Sequence, residues 1–141
     1  SKSKGFCGIE VKYHENLLND PAKIKPRYFQ IASEMNCFKQ ESLEILEKKP
    51  LEQIWRDHLL AASILLADDF DDGFFIFLYP QDNENCAEAA NNYEKCLTET
   101  STFQILTLEN LCKTIKIFTN THWITLFIDR YLNFSKIDKI S

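Results

Sequence analysis

The chain has 141 residues, of which 45% are hydrophobic and 26% are charged, with only 3 Gly and 4 Pro. This composition is typical of a folded domain and excludes the disordered, collagen-like and low-complexity classes. The longest apolar stretch, Leu59 to Ala67, is far shorter than the roughly 20 residues that cross a bilayer, so no membrane association is expected.

The formal net charge is −5, but the charges are unevenly distributed along the chain. Residues 1–60 contain ten Lys or Arg and nine Asp or Glu, whereas residues 61–100 contain one and nine. Most of the acidity therefore belongs to the middle of the chain. A site built from the first sixty residues can face a polyanion despite the overall negative charge.

The cysteines are widely spaced and include no Cys-x-x-Cys pair, so the sequence predicts neither a disulfide framework nor a zinc site. Free thiols are typical of a reducing compartment, and we expect a cytoplasmic protein. The cysteines are Cys7, Cys37, Cys86, Cys96 and Cys112.

The first predicted element is a strand from Phe6 to Tyr13, where apolar and polar residues alternate with a period of two. One face of this strand is therefore apolar and the other is polar. The apolar face carries Ile9, Val11 and Tyr13, and the polar face carries Gly8, Glu10 and Lys12.

Two helices and a second strand are predicted next. The first helix lies around Arg27–Met35, after a loop, and the second runs from Leu51 to Leu66 behind Pro50. The acidic run 68–73 ends the second helix, and we expect it to form a solvated turn. The strand 74–79 is apolar on both faces, which predicts a central position in its sheet.

The rest of the chain is predicted to be mostly helical. A helix is expected at Glu84–Glu99, a short strand at Phe103–Leu106 and a helix at Leu108–Phe118. The helical pattern continues from Trp123 to Phe134. This order predicts a single domain of the α/β class with helical additions at its C-terminal end.

Glu10 and Lys12 are the first candidates for chemistry. They lie two residues apart on a strand, so their side chains emerge on the same face, a few ångströms apart. A carboxylate can hold a divalent cation, and a neighbouring ammonium can stabilise negative charge that develops on a phosphate. The alternative is a salt bridge on a solvated sheet surface.

Three segments together resemble the PD-(D/E)XK nuclease superfamily, and more narrowly a bacterial branch of it with Gly-Ile-Glu-x-Lys-Tyr and Gln-x-x-Arg-Asp-His. These are Phe6-Cys-Gly-Ile-Glu-Val-Lys-Tyr-His-Glu15, Leu51-Glu-Gln-Ile-Trp-Arg-Asp-His-Leu-Leu60 and Phe74-Phe-Ile-Phe-Leu-Tyr-Pro80. The resemblance covers residues 6–80. It implies a partial restriction-endonuclease-like core, in which helices flank a mixed sheet.

The resemblance also implies an activity. The implied activity is the hydrolysis of the phosphodiester bonds of DNA by an endonuclease or exonuclease that uses Mg²⁺ or Mn²⁺. In this interpretation Glu10 binds the metal and Lys12 is the catalytic lysine. The helix that carries Gln53 and Arg56 flanks the site, where these two residues contact a phosphate or orient Glu10. The alternative for them is a surface pair beside Asp57.

One feature of the family pattern is missing. An acidic residue is expected on the strand before Glu10, and residues 1–9 contain none. Three explanations are open: the chain is part of a longer polypeptide, another carboxylate substitutes, or the site is degenerate. We favour the first, with 1–141 as the C-terminal part of a longer nuclease domain. Glu34 is the best internal candidate for a substitute metal ligand.

Two further expectations concern single side chains. His58 lies next to the apolar face of its helix, which favours a buried, hydrogen-bonded histidine over a general base. Lys12 is expected to be exposed, so that its removal would cost little stability. The rival to the nuclease is a non-catalytic interaction or structural module that retains the fold.

Overall fold

The computed structural model describes residues 3–15, 17–18, 23–67, 69–119 and 121–133. In these residues strands alternate with helices, and two helices follow the last strand, so the predicted α/β class is confirmed. The elements are β1 (Gly5–Val11), α1 (Pro26–Met35), α2 (Leu43–Leu46), α3 (Leu51–Leu65), β2 (Asp72–Tyr79), α4 (Glu84–Glu94), β3 (Phe103–Thr107), α5 (Leu108–Phe118) and α6 (His122–Tyr131).

The three described strands form a parallel sheet in the order β1-β2-β3. The central position of β2 confirms the prediction from its two apolar faces. The register sets Gly8 opposite Phe75 and Glu10 opposite Phe77. Beyond the end of β1, the backbone N–H of Lys12 donates to the carbonyl oxygen of Leu78 at 2.9 Å, which holds the next residue of the chain against β2.

Helix α3 covers one face of the sheet and supplies much of the buried core, including Trp55 and Leu59. Because α3 connects two neighbouring parallel strands, it runs back in the direction opposite to them. A Cβ atom placed on Gly8 would lie 3.6 Å from Cβ of Ala61. The backbones of β1 and α3 therefore approach closely here, and any side chain longer than that of alanine would push them apart.

The burial of β1 is opposite to what its hydrophobic pattern indicates. Ile9 and Val11 are 54% and 50% exposed, whereas Lys12 is 7% exposed. The reason is that α3 packs on the face of β1 that carries Gly8, where the small residue permits the approach. The polar face of the strand is thus the covered one.

Helix α4 ends at Glu94 and not at Glu99 as the sequence predicts. Residues 96–98 turn away and pair with residues 37–39, through two backbone hydrogen bonds of 2.8 Å and an isolated antiparallel bridge. This pairing requires extended backbone, so a tertiary contact overrides the local helical pattern.

The acidic turn before β2 is largely solvated at residues 69–71, as predicted, whereas Asp72 and Gly73 of the same run already belong to β2 and Gly73 is buried; Asp68 lies outside the described residues. The turn also fixes the start of β1. The backbone N–H of Lys4 donates to Oδ2 of Asp71 at 2.6 Å, and the N–H of Asp71 donates to the carbonyl oxygen of Lys4 at 2.8 Å.

Helices α5 and α6 form the predicted C-terminal addition. The bounds of α5 are those expected from its pattern, and α6 ends at Tyr131, while Phe134 lies outside the described residues. The Tyr13 hydroxyl donates to the carbonyl oxygen of Tyr131, which ties α6 to the end of β1. Ile117 and Phe118 remain largely exposed. No helix in the described part of the chain is long and apolar enough to cross a membrane.

Candidate functional site

Glu10 and Lys12 form an ion pair at the end of β1. The Lys12 ammonium lies 2.7 Å from Oε1 of Glu10, which confirms the prediction that the two side chains share a face of the strand. The Lys12 side chain is 9% exposed and that of Glu10 is 33% exposed. The pair therefore does not lie on a solvated sheet surface, and the expectation that Lys12 is exposed is wrong.

Asp57 on α3 is the third charged group of the site. Helix α3 runs opposite to β1, and Ala61 lies beside Gly8. One helical turn before Ala61, Asp57 therefore lies at the level of Glu10, which is two residues after Gly8 on the strand. Burial, and after it the nearby charge of Glu10, raise the pKa of Asp57 to about 6. The positive charges of Arg56 and Lys12 act in the opposite direction.

Arg56 is held by two carboxylates on its own helix. Its Nη1 lies 3.4 Å from Oε1 of Glu52, one turn away, and its Nε lies 3.8 Å from Oδ1 of Asp57. Glu52 is buried, so Arg56 compensates a carboxylate that would otherwise lack a counter-charge. The Arg56 side chain keeps 31% of its surface exposed, which leaves its outer edge available to an anion.

Gln53 lies on the same face of α3 as Asp57, four residues before it. It is half-buried and stands one turn nearer to the carboxyl ends of the strands. The structure therefore brings Glu10, Lys12 and Arg56 together around Asp57, between the end of β1 and the first half of α3, and Gln53 lies one helical turn from Asp57.

Glu34, the predicted substitute ligand, lies elsewhere. It is exposed on α1, where Oε1 accepts a 2.9 Å hydrogen bond from Nε2 of Gln30. It lines a cavity together with Ser63 and Leu66 near the end of α3. Ser63 is six residues beyond Asp57, which corresponds to about 9 Å along the helix axis. Asp57, and not Glu34, is the carboxylate next to Glu10.

Sequence reasoning treated Asp57 only as a neighbour of Arg56. It is part of the motif Gln-x-x-Arg-Asp-His, but its charge alone does not indicate a role, because a charged residue in the middle of an amphipathic helix is usually solvated. The informative signal is the spacing of two small residues, Gly8 on the strand and Ala61 on the helix. They fix the register in which the two elements meet.

His58 lies next to Asp57 in the sequence but on a different side of α3. Its Nδ1 is 2.9 Å from the Tyr93 hydroxyl, and its Nε2 is 3.0 Å from Oγ1 of Thr102. Burial lowers the pKa of His58 to about 4, so the ring is neutral at pH 7. The prediction of a buried and hydrogen-bonded histidine is confirmed.

The carboxylate of Glu15, just beyond the end of β1, is already hydrogen-bonded to the backbone. Its Oε2 accepts hydrogen bonds from the N–H groups of Tyr13 at 2.7 Å and His14 at 3.1 Å. Backbone hydrogen bonds, the first of them from its own N–H, lower the pKa of Glu15. The carboxylate therefore shapes the turn that follows the site.

The donor set of the site consists of two carboxylates, from Glu10 and Asp57, which both interact electrostatically with Lys12. The described residues contain no group of three or more His, Cys, Asp or Glu side chains arranged to hold a metal ion. Mg²⁺ is commonly bound by only one or two carboxylates, with waters and substrate phosphates as its other ligands. The two carboxylates fit that mode of binding.

Comparison with known protein families gives a match over most of the chain. The family model of the PD-(D/E)XK nuclease superfamily matches residues 1–133 of this chain. The match extends beyond the strand, helix and second strand into α5 and α6. No curated protein and no solved structure matches the chain.

Proposed function

This chain belongs to the PD-(D/E)XK nuclease superfamily, and we propose that it is a nuclease that hydrolyses the phosphodiester bonds of DNA with Mg²⁺ or Mn²⁺. The observation that carries the proposal is the position of the Glu10–Lys12 pair, which the fold keeps half-buried and faces with Asp57. A pair that only improved solubility would not be covered by a helix.

The metal would be held by Glu10 and Asp57. Two carboxylates that face each other repel, and the raised pKa of Asp57 reflects burial and the charge of Glu10. A divalent cation between them would remove this repulsion. When bound, it supplies Lewis acidity toward a phosphate and lowers the pKa of a water molecule toward neutrality.

The protein side chains have separate roles in this proposal. Lys12 places a positive charge where the scissile phosphate gains negative charge, and its low exposure strengthens that interaction by excluding water. Arg56 keeps Asp57 oriented through its Nε and presents its outer edge to the substrate. Gln53 supplies an amide on the same helix face, suited to hold a phosphate oxygen or the attacking water.

Asp57 takes the place that Glu34 was expected to fill. An acidic residue upstream of Glu10, in a longer nuclease domain, stays a prediction and is compatible with this arrangement. The five cysteines all lie free, which supports a reducing compartment such as the cytoplasm as the place of action.

The second candidate is a non-catalytic module of the same fold. The observation in its favour is the apolar surface of α5 and α6, where Ile117 is 79% and Phe118 is 83% exposed. Large exposed apolar groups of this kind are typical of protein interaction surfaces.

Cleavage of plasmid and linear duplex DNA by the full-length protein, in Mg²⁺, Mn²⁺ or EDTA, separates the two functions. We expect metal-dependent cutting that is lost in Lys12→Met, which removes the ammonium but keeps the alkyl chain. Lys113→Met, on the exposed face of α5, is the matched control and should cut normally. Cutting by Lys12→Met at the rate of the control would contradict the proposed role of Lys12. If the unaltered protein neither cuts DNA nor binds metal, the non-catalytic module is favoured.

A further inference from the structure

A groove of about 390 Å³ opens between α1 and α3, directly beside the proposed site. Two of its lining residues, Arg56 and Asp57, belong to that site. Lys25, Arg27 and Tyr28 line it from the start of α1, and Leu60 lines it from α3. The groove therefore continues the site along the surface.

The rim of the groove is positively charged, although the protein as a whole carries −5. Lys25, Arg27 and Arg56 supply three cationic side chains against the carboxylate of Asp57, and Arg56 is the one already paired with carboxylates. Among the residues that the structure describes, neither Lys25 nor Arg27 forms an ion pair. Both are exposed, so their charges are available to a ligand. This rim favours a polyanion such as the backbone of a nucleic acid.

The walls of the groove are largely apolar. Leu60 is 65% exposed and faces no core. Tyr28 is half-buried, with its ring edge-on to that of Trp55 at 6.2 Å between centroids, which fixes the ring in place. Apolar walls and a fixed aromatic ring suit the base or sugar of a nucleotide.

The combination of a cationic rim and apolar walls favours single-stranded over duplex DNA. In a duplex the bases are stacked inside, so a protein surface that follows the backbone needs cations and gains little from apolar walls. In a single strand the bases are available to pack against apolar or aromatic side chains. We propose that this groove binds an unpaired nucleotide next to the bond that is cleaved, and that the substrate is DNA with a single-stranded segment. This proposal rests on the proposed nuclease function.

Binding can be measured without cleavage, by fluorescence anisotropy of the full-length protein with a labelled oligothymidylate in EDTA, beside a duplex of the same length. We expect the single strand to bind more tightly than the duplex. Arg27→Ala should weaken binding of the single strand about threefold to tenfold and reduce the slope of log affinity against log salt by about 0.7, the value for one phosphate contact on a single strand.

Leu60→Ser tests the apolar wall separately. We expect it to weaken binding about threefold with an unchanged salt slope, because it removes apolar contact and no charge. Lys113→Ala should leave both affinity and slope unchanged. Equal binding of duplex and single strand, or wild-type affinity in both Arg27→Ala and Leu60→Ser, would overturn the proposal.

The two proposals fail in distinguishable ways. If the protein cleaves DNA but the groove variants bind normally, the nuclease stands and the groove assignment is wrong. If the single strand binds through the groove but no metal supports cleavage, the groove assignment stands for the binding of single-stranded DNA and the nuclease assignment is wrong.

Discussion

Asp57 shows how the fold creates chemistry at a single residue. In the unfolded chain its carboxyl has the usual pKa of an aspartic acid. In the folded protein, burial and the charge of Glu10 raise this pKa to about 6. Near neutral pH the folded protein therefore holds a carboxylate whose ionisation it disfavours. A divalent cation bound to this carboxylate would stabilise its ionised form and offset that cost.

Asp57→Asn should stabilise the protein at neutral pH in the absence of metal. A carboxyl with a raised pKa in the folded state holds its proton more tightly there than in the unfolded state. The unaltered protein therefore loses stability as the pH rises from about 4 to about 6. The gain from the amide should approach about 1 kcal/mol above pH 6, after allowance for solvent screening of a partly exposed group, and vanish below pH 4. Urea denaturation at several pH values measures it, and a gain that is equal at all pH values would contradict the assignment.

Added Mg²⁺ or Mn²⁺ should stabilise the unaltered protein more than it stabilises Asp57→Asn. An ion held between Glu10 and Asp57 stabilises only the folded state, so it should raise the melting temperature of the unaltered protein and have a smaller effect on Asp57→Asn. Glu34→Gln is the matched control and should respond like the unaltered protein. A response that disappears in Glu34→Gln and persists in Asp57→Asn would return the role of metal ligand to Glu34.

Lys12 should contribute measurably to stability, in contrast to the expectation from sequence. Its side chain is 9% exposed and paired with Glu10, so Lys12→Met leaves a half-buried carboxylate near Asp57 without its counter-charge. We expect a loss of about 1–2 kcal/mol, below the cost for a fully buried pair because Glu10 retains contact with water. Glu10→Gln in the same background should recover part of the loss. A double variant that is less stable than Lys12→Met would contradict this account.

At the scale of residues, the period of the first strand was enough to predict that Glu10 and Lys12 share a face. The partnership with Asp57 was not predictable in that way. It depends on the register between β1 and α3, which are separated by 39 residues in the chain, and this register is set by the contact of Gly8 with Ala61.

At the scale of elements, most helices and strands follow from local patterns, and the errors have tertiary causes. The central position of β2 follows from its composition, as predicted, but only the face that carries Phe75, Phe77 and Tyr79 is fully buried, whereas Phe74 on the other face is 37% exposed. The face of β1 that is covered could not be inferred from hydrophobicity, because it depends on the close approach of Ala61 on α3 to Gly8. The early end of α4 depends on pairing with residues 37–39, far away in the sequence.

Gly8→Leu should separate α3 from β1. Its side chain would occupy the space now filled by Ala61, and overpacking of this kind typically costs about 1–3 kcal/mol. The control is Ile9→Thr on the neighbouring, 54% exposed position, where we expect a change within about 0.5 kcal/mol. Chemical denaturation measures both. A larger loss in Ile9→Thr than in Gly8→Leu would show that the other face of β1 is the covered one.

At the scale of the whole molecule, the distribution of charge reconciles an acidic protein with a polyanionic substrate. Most of the acidic residues in the described middle part of the chain lie at the turn into β2 and in α4. The proposed site and groove are built from β1, α1 and α3, which come from the balanced first part of the chain. This separation was predictable from the sequence, whereas the groove was not, because it requires α1 to pack beside α3.

The central claim is that Glu10 and Asp57 together support metal-dependent cleavage. It is tested most directly by the single-turnover rate of DNA cleavage in Mg²⁺ for the full-length protein and three variants: Glu10→Gln, Asp57→Asn and Glu34→Gln. We predict that the first two lose about a hundredfold or more in rate, while the third cleaves like the unaltered protein. Wild-type rates in Glu10→Gln and Asp57→Asn would contradict the account.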